Sequence, residues 1–356
     1  MACAVIHVGM EKTGTTYLQK FLTLNAEMLA QQDIGYPRFL GQTNHTKIVI
    51  GFGAHDGKLR RRLGIITDEA LVQHRTELST SMTRAINTAH HDQWIFTSEY
   101  LSSRLRDNNS VDRFHQWMCT WFNRFQVVMY LRRQDFTAPS AYSTYVRTGG
   151  PREWGFADLT GPYFDLTAVV NRWRQAFGSA NVAIRPYLES PYRQTDLIDD
   201  FLQTVSLPTD YPWRRPTADA NLRLTANAVE ALRLANLADQ RDGRQPTGPQ
   251  RRQRTQIVTA RADGPNWSFP IELTREIRQH FDAANRKLVE TLDDPNGSWQ
   301  TWLNQEPTGH PTEQPATNPD QVAELLTLAT RSSAPSTPQK RSVLRKGHQF
   351  IPWRKH

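Results

Sequence analysis

Cysteine and long apolar runs are what this 356-residue chain has least of. Cys3 and Cys119 are its 2 cysteines, so neither a disulfide framework nor a zinc cluster is supported. No stretch of about 18 consecutive apolar residues occurs, which argues against a membrane-spanning helix. The first residues lack a basic n-region and an apolar h-region and pass straight into a strand-like run. These absences lead us to expect a cytoplasmic protein. Hydrophobic residues reach only 38%, partly because the C-terminal stretch is so polar. Acid is short as well: 35 Asp and Glu against 43 Lys and Arg leave a net charge of +8. That excess suits anionic ligands, and charge alone does not choose among nucleic acid, lipid surface and acidic glycan. Zinc-finger spacing, RNP-type sequence and a basic zipper are all missing, so no specific nucleic-acid partner is expected.

What is present is concentrated at the start. Ala4-Val5-Ile6-His7-Val8 is a short apolar run rich in β-branched residues, which reads as a buried strand with His7 as a hydrogen-bonded core residue. A polar loop, Gly9-Met10-Glu11-Lys12-Thr13-Gly14, follows, and Leu18, Phe21, Leu22 and Leu29 then recur at helical spacing. Strand, small-residue loop and helix aim free backbone N–H groups and a positive helix end at a phosphate. Gly9 and Gly14 match the opening of G-x-x-x-x-G-K-[ST], but position 15 is Thr and the lysine sits inside the loop at 12. A P-loop kinase therefore fits poorly, because its lysine would meet the ligand at the wrong place along the phosphate chain.

Further along, Gln93–Thr97, Phe125–Leu131 and Asn181–Tyr187 read as strands. Helices are expected over about 68–90, over 110–122, from after Asp135 to about Arg147, and over 165–178 and 197–205. Asp135 is placed to cap the third of these, with Pro139 and Ser140 in its first turn. Alternating strands and helices predict an α/β fold with a central parallel sheet covered on both faces. Ligands of such sheets gather at the C-terminal strand ends, which puts Glu99 and Arg132 on the rim that carries Lys12. Past residue 206 the signals are helical, over 225–239, 270–292 and 298–304, with Arg251-Arg252-Gln253-Arg254 in an intervening loop. From Glu306 onward Pro, Thr, Ser and Gln predominate, and the last 17 residues hold six Lys and Arg with no acid. A domain over 1–305 and a largely disordered tail over 306–356 are expected, with a helical turn or two near 322–328.

Two motifs carry a family resemblance. Lys12-Thr13-Gly14-Thr15-Thr16 after a strand resembles the 5′-phosphosulfate loop of sulfotransferases that use 3′-phosphoadenosine 5′-phosphosulfate (PAPS). Tyr130-Leu131-Arg132-Arg133-Gln134-Asp135, with Ser140 eight residues beyond Arg132, is similar to their 3′-phosphate segment. The run 165–178, Arg185-Pro186-Tyr187 and Asn221-Leu222-Arg223-Leu224 resemble the bacterial carbohydrate-type branch, so the likeness spans about residues 4–292. It implies a P-loop-like sulfotransferase fold with PAPS as co-substrate and no metal. Lys12, Thr13, Gly14, Thr15, Thr16, Arg132, Ser140 and Tyr187 would hold the donor. Lys12 would also be catalytic, Glu99 the general base and His45 the alternative base or an acceptor contact. The acceptor would be a glycan, glycolipid or small hydroxylated molecule, with Trp154 and Trp213 suiting a sugar or simply the core.

Position 11 departs from the family, which often has Pro there. Glu11 should weaken anion binding unless it points away or pairs with a base. Arg345-Lys346-Gly347 and Trp353 are read as a solvated basic tail, with peripheral membrane contact as one use for it. Two readings from other classes stand beside the sulfotransferase one: the P-loop kinase, and a non-catalytic protein that binds anionic ligands.

Overall fold

The computed structural model describes residues 2–53, 57–161, 164–190, 192–217, 224–294, 296–306 and 315–331. The central strand β1 (Ala2–Val8) turns into α1 (Thr15–Leu24) and α2 (Ala26–Gln31), then returns as β2 (Ile34–Gly35). Helices α3 (Thr46–Phe52), α4 (Gly57–Arg62) and α5 (Asp68–Ala89) lead to β3 (Gln93–Ser98). Next come α6 (Tyr100–Arg104), α7 (Asn108–Met118) and β4 (Phe122–Leu131). After α8 (Gln134–Arg147) and α9 (Leu166–Phe177) the last strand, β5 (Val182–Pro186), is followed by α10 (Leu197–Thr204).

All pairings are parallel, and the strand order is β2-β3-β1-β4-β5. From β1 the chain crosses to the edge strand β2, returns inward to β3 beside β1, and then passes to the other side for β4 and β5, so the direction of winding changes at β1. Both sheet faces are covered, which is why the strands read as near-continuous apolar runs rather than alternating ones. Ala4, Ile6, Phe96, Val127 and Met129 belong to one buried cluster; Val5, Ile95, Val128 and Tyr130 belong to another, with α1 and α10. The α/β expectation holds.

The second half is more ordered than its sequence suggested. Helices α11 (Ala226–Arg241), α12 (Gly248–Thr259), α13 (Ile271–Val289) and α14 (Ser298–Asn304) are followed by α15 (Pro319–Arg331). The expected loop around Arg251 is the helix α12, opened by a reciprocal capping box between Thr247 and Gln250. Arg254 is buried there and pairs with Asp239 at 2.6 Å, so an arginine expected in a loop is a core element. In α15, Val322, Leu325 and Ala329 fall on one helical face and are buried in a cluster with α11 residues. Residues 319–331, expected to hold no more than a helical turn or two, form a packed helix because that stripe finds an apolar partner. Residues 332–356 and Asn221–Arg223 lie outside the described residues.

Candidate active site

The loop after β1 is shaped by contacts that admit no larger side chain. A Cβ at Gly9 would fall 2.3 Å from Thr15 Cγ2 and 3.2 Å from Glu99 Cα, so the loop can begin only by passing close beneath both. Lys12 and Gly14 both adopt left-handed backbone, each at φ 74°. That conformation costs a non-glycine residue about 1 kcal/mol or more. It is held by Thr13, fully buried, whose hydroxyl donates to the Met10 carbonyl at 2.7 Å. Among the described residues, no backbone N–H from Lys12 through Thr16 donates to a protein acceptor. Successive free N–H groups in such a turn form an anion-binding concavity, and α1 adds its positive end.

The side chains reinforce this polarity. Lys12 is half-buried, and among the described residues no carboxylate lies within 4 Å of its ammonium. Burial pulls its pKa down to about 8, with Arg147 and Arg132 pushing the same way and Glu11 and Glu99 opposing. Glu11 is paired with Arg104 at 3.7 Å, which answers the doubt raised by an acid in this loop. Arg147, the last residue of α8, was not singled out from sequence. Its guanidinium also has no carboxylate within ion-pair distance among the described residues, and burial lowers its pKa. The signal that could have found it is weak: an arginine at the end of a helix that starts beside Arg132.

Glu99 follows β3 and stands directly behind the loop. Its Oε2 accepts from Thr15 Oγ1 at 2.8 Å. Burial raises its pKa against the opposing Thr15 bond; Glu11 adds to the rise, while Lys12 and Arg104 oppose it. Ser102 ties the two elements, its hydroxyl within 2.6 Å of the Gly9 carbonyl and 3.0 Å of the Glu99 carbonyl.

From the other side come the ends of β4 and β5. Arg132 donates through Nε to Glu189 at 2.5 Å and through Nη1 to the Lys12 carbonyl at 3.1 Å. It also lies over the Tyr187 ring at 5.6 Å, with Arg193 over the same ring at 4.7 Å. Tyr187 in turn reaches the loop, its Cε2 3.5 Å from where a Cβ on Gly14 would stand. So Lys12, Arg132 and Tyr187 meet at one place. Glu189 and Arg193 were missed because the 187–196 connection offers no periodicity or motif.

Arg133 has a different task from its neighbour. It is buried and holds Asp135 through two bonds, 2.9 and 2.6 Å, while donating to the Trp302 and Leu303 carbonyls. Asp135 is thus a buried ion-pair partner rather than the helix cap; the N-cap position is Arg133 itself. Since α8 starts at Gln134, Pro139 and Ser140 fall in its second turn, not its first. Ser140 is half-buried, and its hydroxyl has no hydrogen-bond partner among the described residues.

The histidines are core. His7 is buried and bonded to Thr97 Oγ1 at 2.8 Å, as expected from the strand. His45 is also fully buried: its Nδ1 accepts from the Thr97 N–H at 3.2 Å and its backbone N–H donates to the Thr97 carbonyl at 3.0 Å. Burial drives the pKa of each ring to about 3. With its lone pair used, His45 is not placed to take a proton, and the expected alternative base becomes a clamp on the edge of β3. Trp213 is buried against Phe21, and Trp154 packs on Phe269. Both are packing residues. No group of three or more His, Cys, Asp and Glu is placed to hold a metal ion among the described residues.

No family model matches the chain. An uncharacterized protein of Archaeoglobus fulgidus is 30% identical over 112 residues, which is 31% of this chain and 30% of that protein. A solved sulfotransferase from Alicyclobacillus acidocaldarius overlaps 68% of this chain and 96% of its own at 17% identity, with a TM-score of 0.37.

Proposed function

We propose that this chain is a sulfotransferase that moves the sulfuryl group of PAPS to a hydroxyl or amine of an acceptor, a carbohydrate or glycoconjugate by its resemblance. The observation that carries the reading is the loop 12–16: five unengaged backbone N–H groups beside a lysine that no carboxylate neutralises. Free backbone donors beside a lysine with no carboxylate within 4 Å among the described residues make a receptor for an anion. The second anchor is Arg132, whose remaining guanidinium nitrogen, together with the Ser140 hydroxyl in the second turn of α8, would take the donor's 3′-phosphate, with Tyr187 beside the nucleoside.

In this scheme the acceptor oxygen or nitrogen attacks sulfur while the bond from sulfur to the bridging oxygen breaks. The electron pair goes to the departing 5′-phosphate, where Lys12 and the loop N–H groups stabilise it. The acceptor proton goes to Glu99, whose raised pKa brings it closer to the working range of a general base. Arg147 adds positive charge near Lys12. Thr15 keeps the Glu99 carboxylate turned toward the loop.

Calorimetry with 3′-phosphoadenosine 5′-phosphate tests this directly. Micromolar binding that Lys12→Ala and Arg132→Ala each weaken about tenfold or more is expected, since both remove charge-assisted bonds. Equal or tighter binding of Mg·ATP would replace the sulfotransferase reading with a kinase one. A screen of glycan, phenol and lipid acceptors with labelled donor would then identify the acceptor.

A further inference from the structure

The anchor proposed for the 3′-phosphate already holds an internal anion. Arg132 donates through Nε to Glu189 Oε1 at 2.5 Å, and Nε and Nη2 share one edge of the guanidinium. That edge is the fork that grips a phosphate through two parallel bonds, and Glu189 occupies half of it. Neither partner is sealed in: the two side chains are 14% and 19% exposed, so a ligand can reach the pair and compete for it. The elements behind the pair fix its backbone. Trp302 Nε1 of α14 donates to the Leu131 carbonyl at 2.8 Å, and Arg133 Nη1 donates to the Trp302 and Leu303 carbonyls. Just past α14, the Glu189 N–H donates to Gln305 Oε1 at 3.1 Å and the Glu306 N–H to Tyr192 Oη at 3.2 Å. The 187–196 connection is thus tethered twice to residues 305–306, and what remains able to turn at 189 is the side chain.

Gln305 has a bond left unmade. The residue is 1% exposed, and its Nε2 is buried with no hydrogen-bond partner among the described residues. Reversing the carboxamide does not help, because the Glu189 N–H would then face an N–H donor. A buried donor without an acceptor is unfavourable, and bulk solvent does not reach this one. The Glu189 carboxylate hangs from the very residue whose N–H this carboxamide binds. Rotation about its side-chain bonds can therefore carry it from Arg132 toward Nε2 without moving the backbone.

We propose that Glu189 is an exchangeable counter-ion with two seats, Arg132 Nε and Gln305 Nε2, and that a nucleotide 3′-phosphate moves it from the first to the second. The phosphate meets Nη2 first. The exchange then gives it both arms of the fork, takes a like charge from beside it and satisfies the Gln305 amide. A 3′-hydroxyl is neutral and leaves Glu189 on Arg132. Displacing the carboxylate moderates the grip on any 3′-phosphorylated nucleotide, donor and product alike, and so favours product release. This rests on the donor reading above and adds Glu189 and Gln305 to it as residues that tune the 3′-phosphate anchor.

Calorimetry on the full chain tests it, comparing 3′-phosphoadenosine 5′-phosphate with adenosine 5′-phosphate, which has a 3′-hydroxyl. Glu189→Gln should tighten the first about tenfold and leave the second within about twofold, since only the phosphate has a carboxylate to displace. Gln305→Met alone should weaken the first about tenfold, yet leave it unchanged in the Glu189→Gln background, where no carboxylate needs a second seat. Melting curves report any loss of fold, which would shift both nucleotides alike. Unchanged or weaker binding of the 3′-phosphorylated nucleotide by Glu189→Gln overturns the proposal, because Glu189 would then orient Arg132 rather than compete for it. A Gln305→Met effect of the same size in both backgrounds, or on both nucleotides, overturns it as well. Equal wild-type affinity for the two nucleotides would overturn the donor reading itself, and this inference with it.

Discussion

The corner after β1 and the corner after β4 share a plan, strand to loop to helix on the same rim, yet they are finished in opposite ways. The first is assembled from backbone: two left-handed residues, a buried threonine and N–H groups with nothing to bind. The second is closed by side chains, with Arg133 locked to Asp135 and to the carbonyls of α14. One corner leaves its backbone N–H groups without a protein acceptor among the described residues, as the proposed donor site requires. The other uses its side-chain bonds internally, between α8 and α14. Of two adjacent arginines, Arg132 serves the open corner and Arg133 the closed one.

Breaking the closed corner should have the largest effect. Arg133→Ala leaves the Asp135 carboxylate buried without its partner and should cost about 3–5 kcal/mol, read as a lower urea midpoint. The double variant with Asp135→Ala should recover part of that loss, whereas Arg132→Ala should leave the midpoint nearly unchanged. Breaking the open corner should act on turnover instead. Lys12→Ala is expected to lower kcat by about 10²–10³-fold, the scale for losing one preorganised stabiliser of developing charge.

The pH dependence sharpens the contrast between the two charged groups of the open corner. Glu99 must be ionised to act as base and Lys12 protonated to hold the donor. The rate should therefore rise with pH through the raised Glu99 pKa and fall above about 8 as Lys12 loses its proton. Bound anionic donor favours the ammonium, so the alkaline limb of kcat should lie above that of kcat/KM. Glu99→Gln should abolish the acid limb while leaving 3′-phosphoadenosine 5′-phosphate affinity within about twofold. An acid limb that survives would remove Glu99 from the mechanism.

A smaller effect separates core from site. His7 and His45 titrate near 3 in the folded chain and near 6.5 when unfolded. The unfolded state therefore binds more protons between those values, and the stability due to neutral burial, complete above 6.5, is lost as pH falls through that window. Melting temperature should drop progressively below pH 6.5, less so in His45→Asn than in the wild type. The smallest change is Glu11→Gln: because Arg104 already compensates the acid, donor affinity should rise by less than about threefold.

Local pattern determined a good deal of this molecule. The order of four of the five strands and of the long helices through residue 204, the loop at 9–14, and the placing of Lys12, Glu99 and Arg132 at strand ends follow from short-range periodicity and turn chemistry, whereas the two-residue β2 and the short helices α3, α4 and α6 do not. Parallel strands between helices leave few topologies, so a shared rim was legible before any contact was known. Tertiary structure alone decided how each charged group was used. Nothing local distinguishes Arg132 from Arg133, or a solvated Arg254 from one buried on Asp239, because the partner comes from a distant element. His45 looked free until β3 supplied a donor for its ring. Helices α12 and α15 carry weak intrinsic signals and become stable through packing, which the chain order does not record. Sequence fixes where a side chain leaves the backbone; burial and the neighbours brought by folding fix whether its charge is spent or kept.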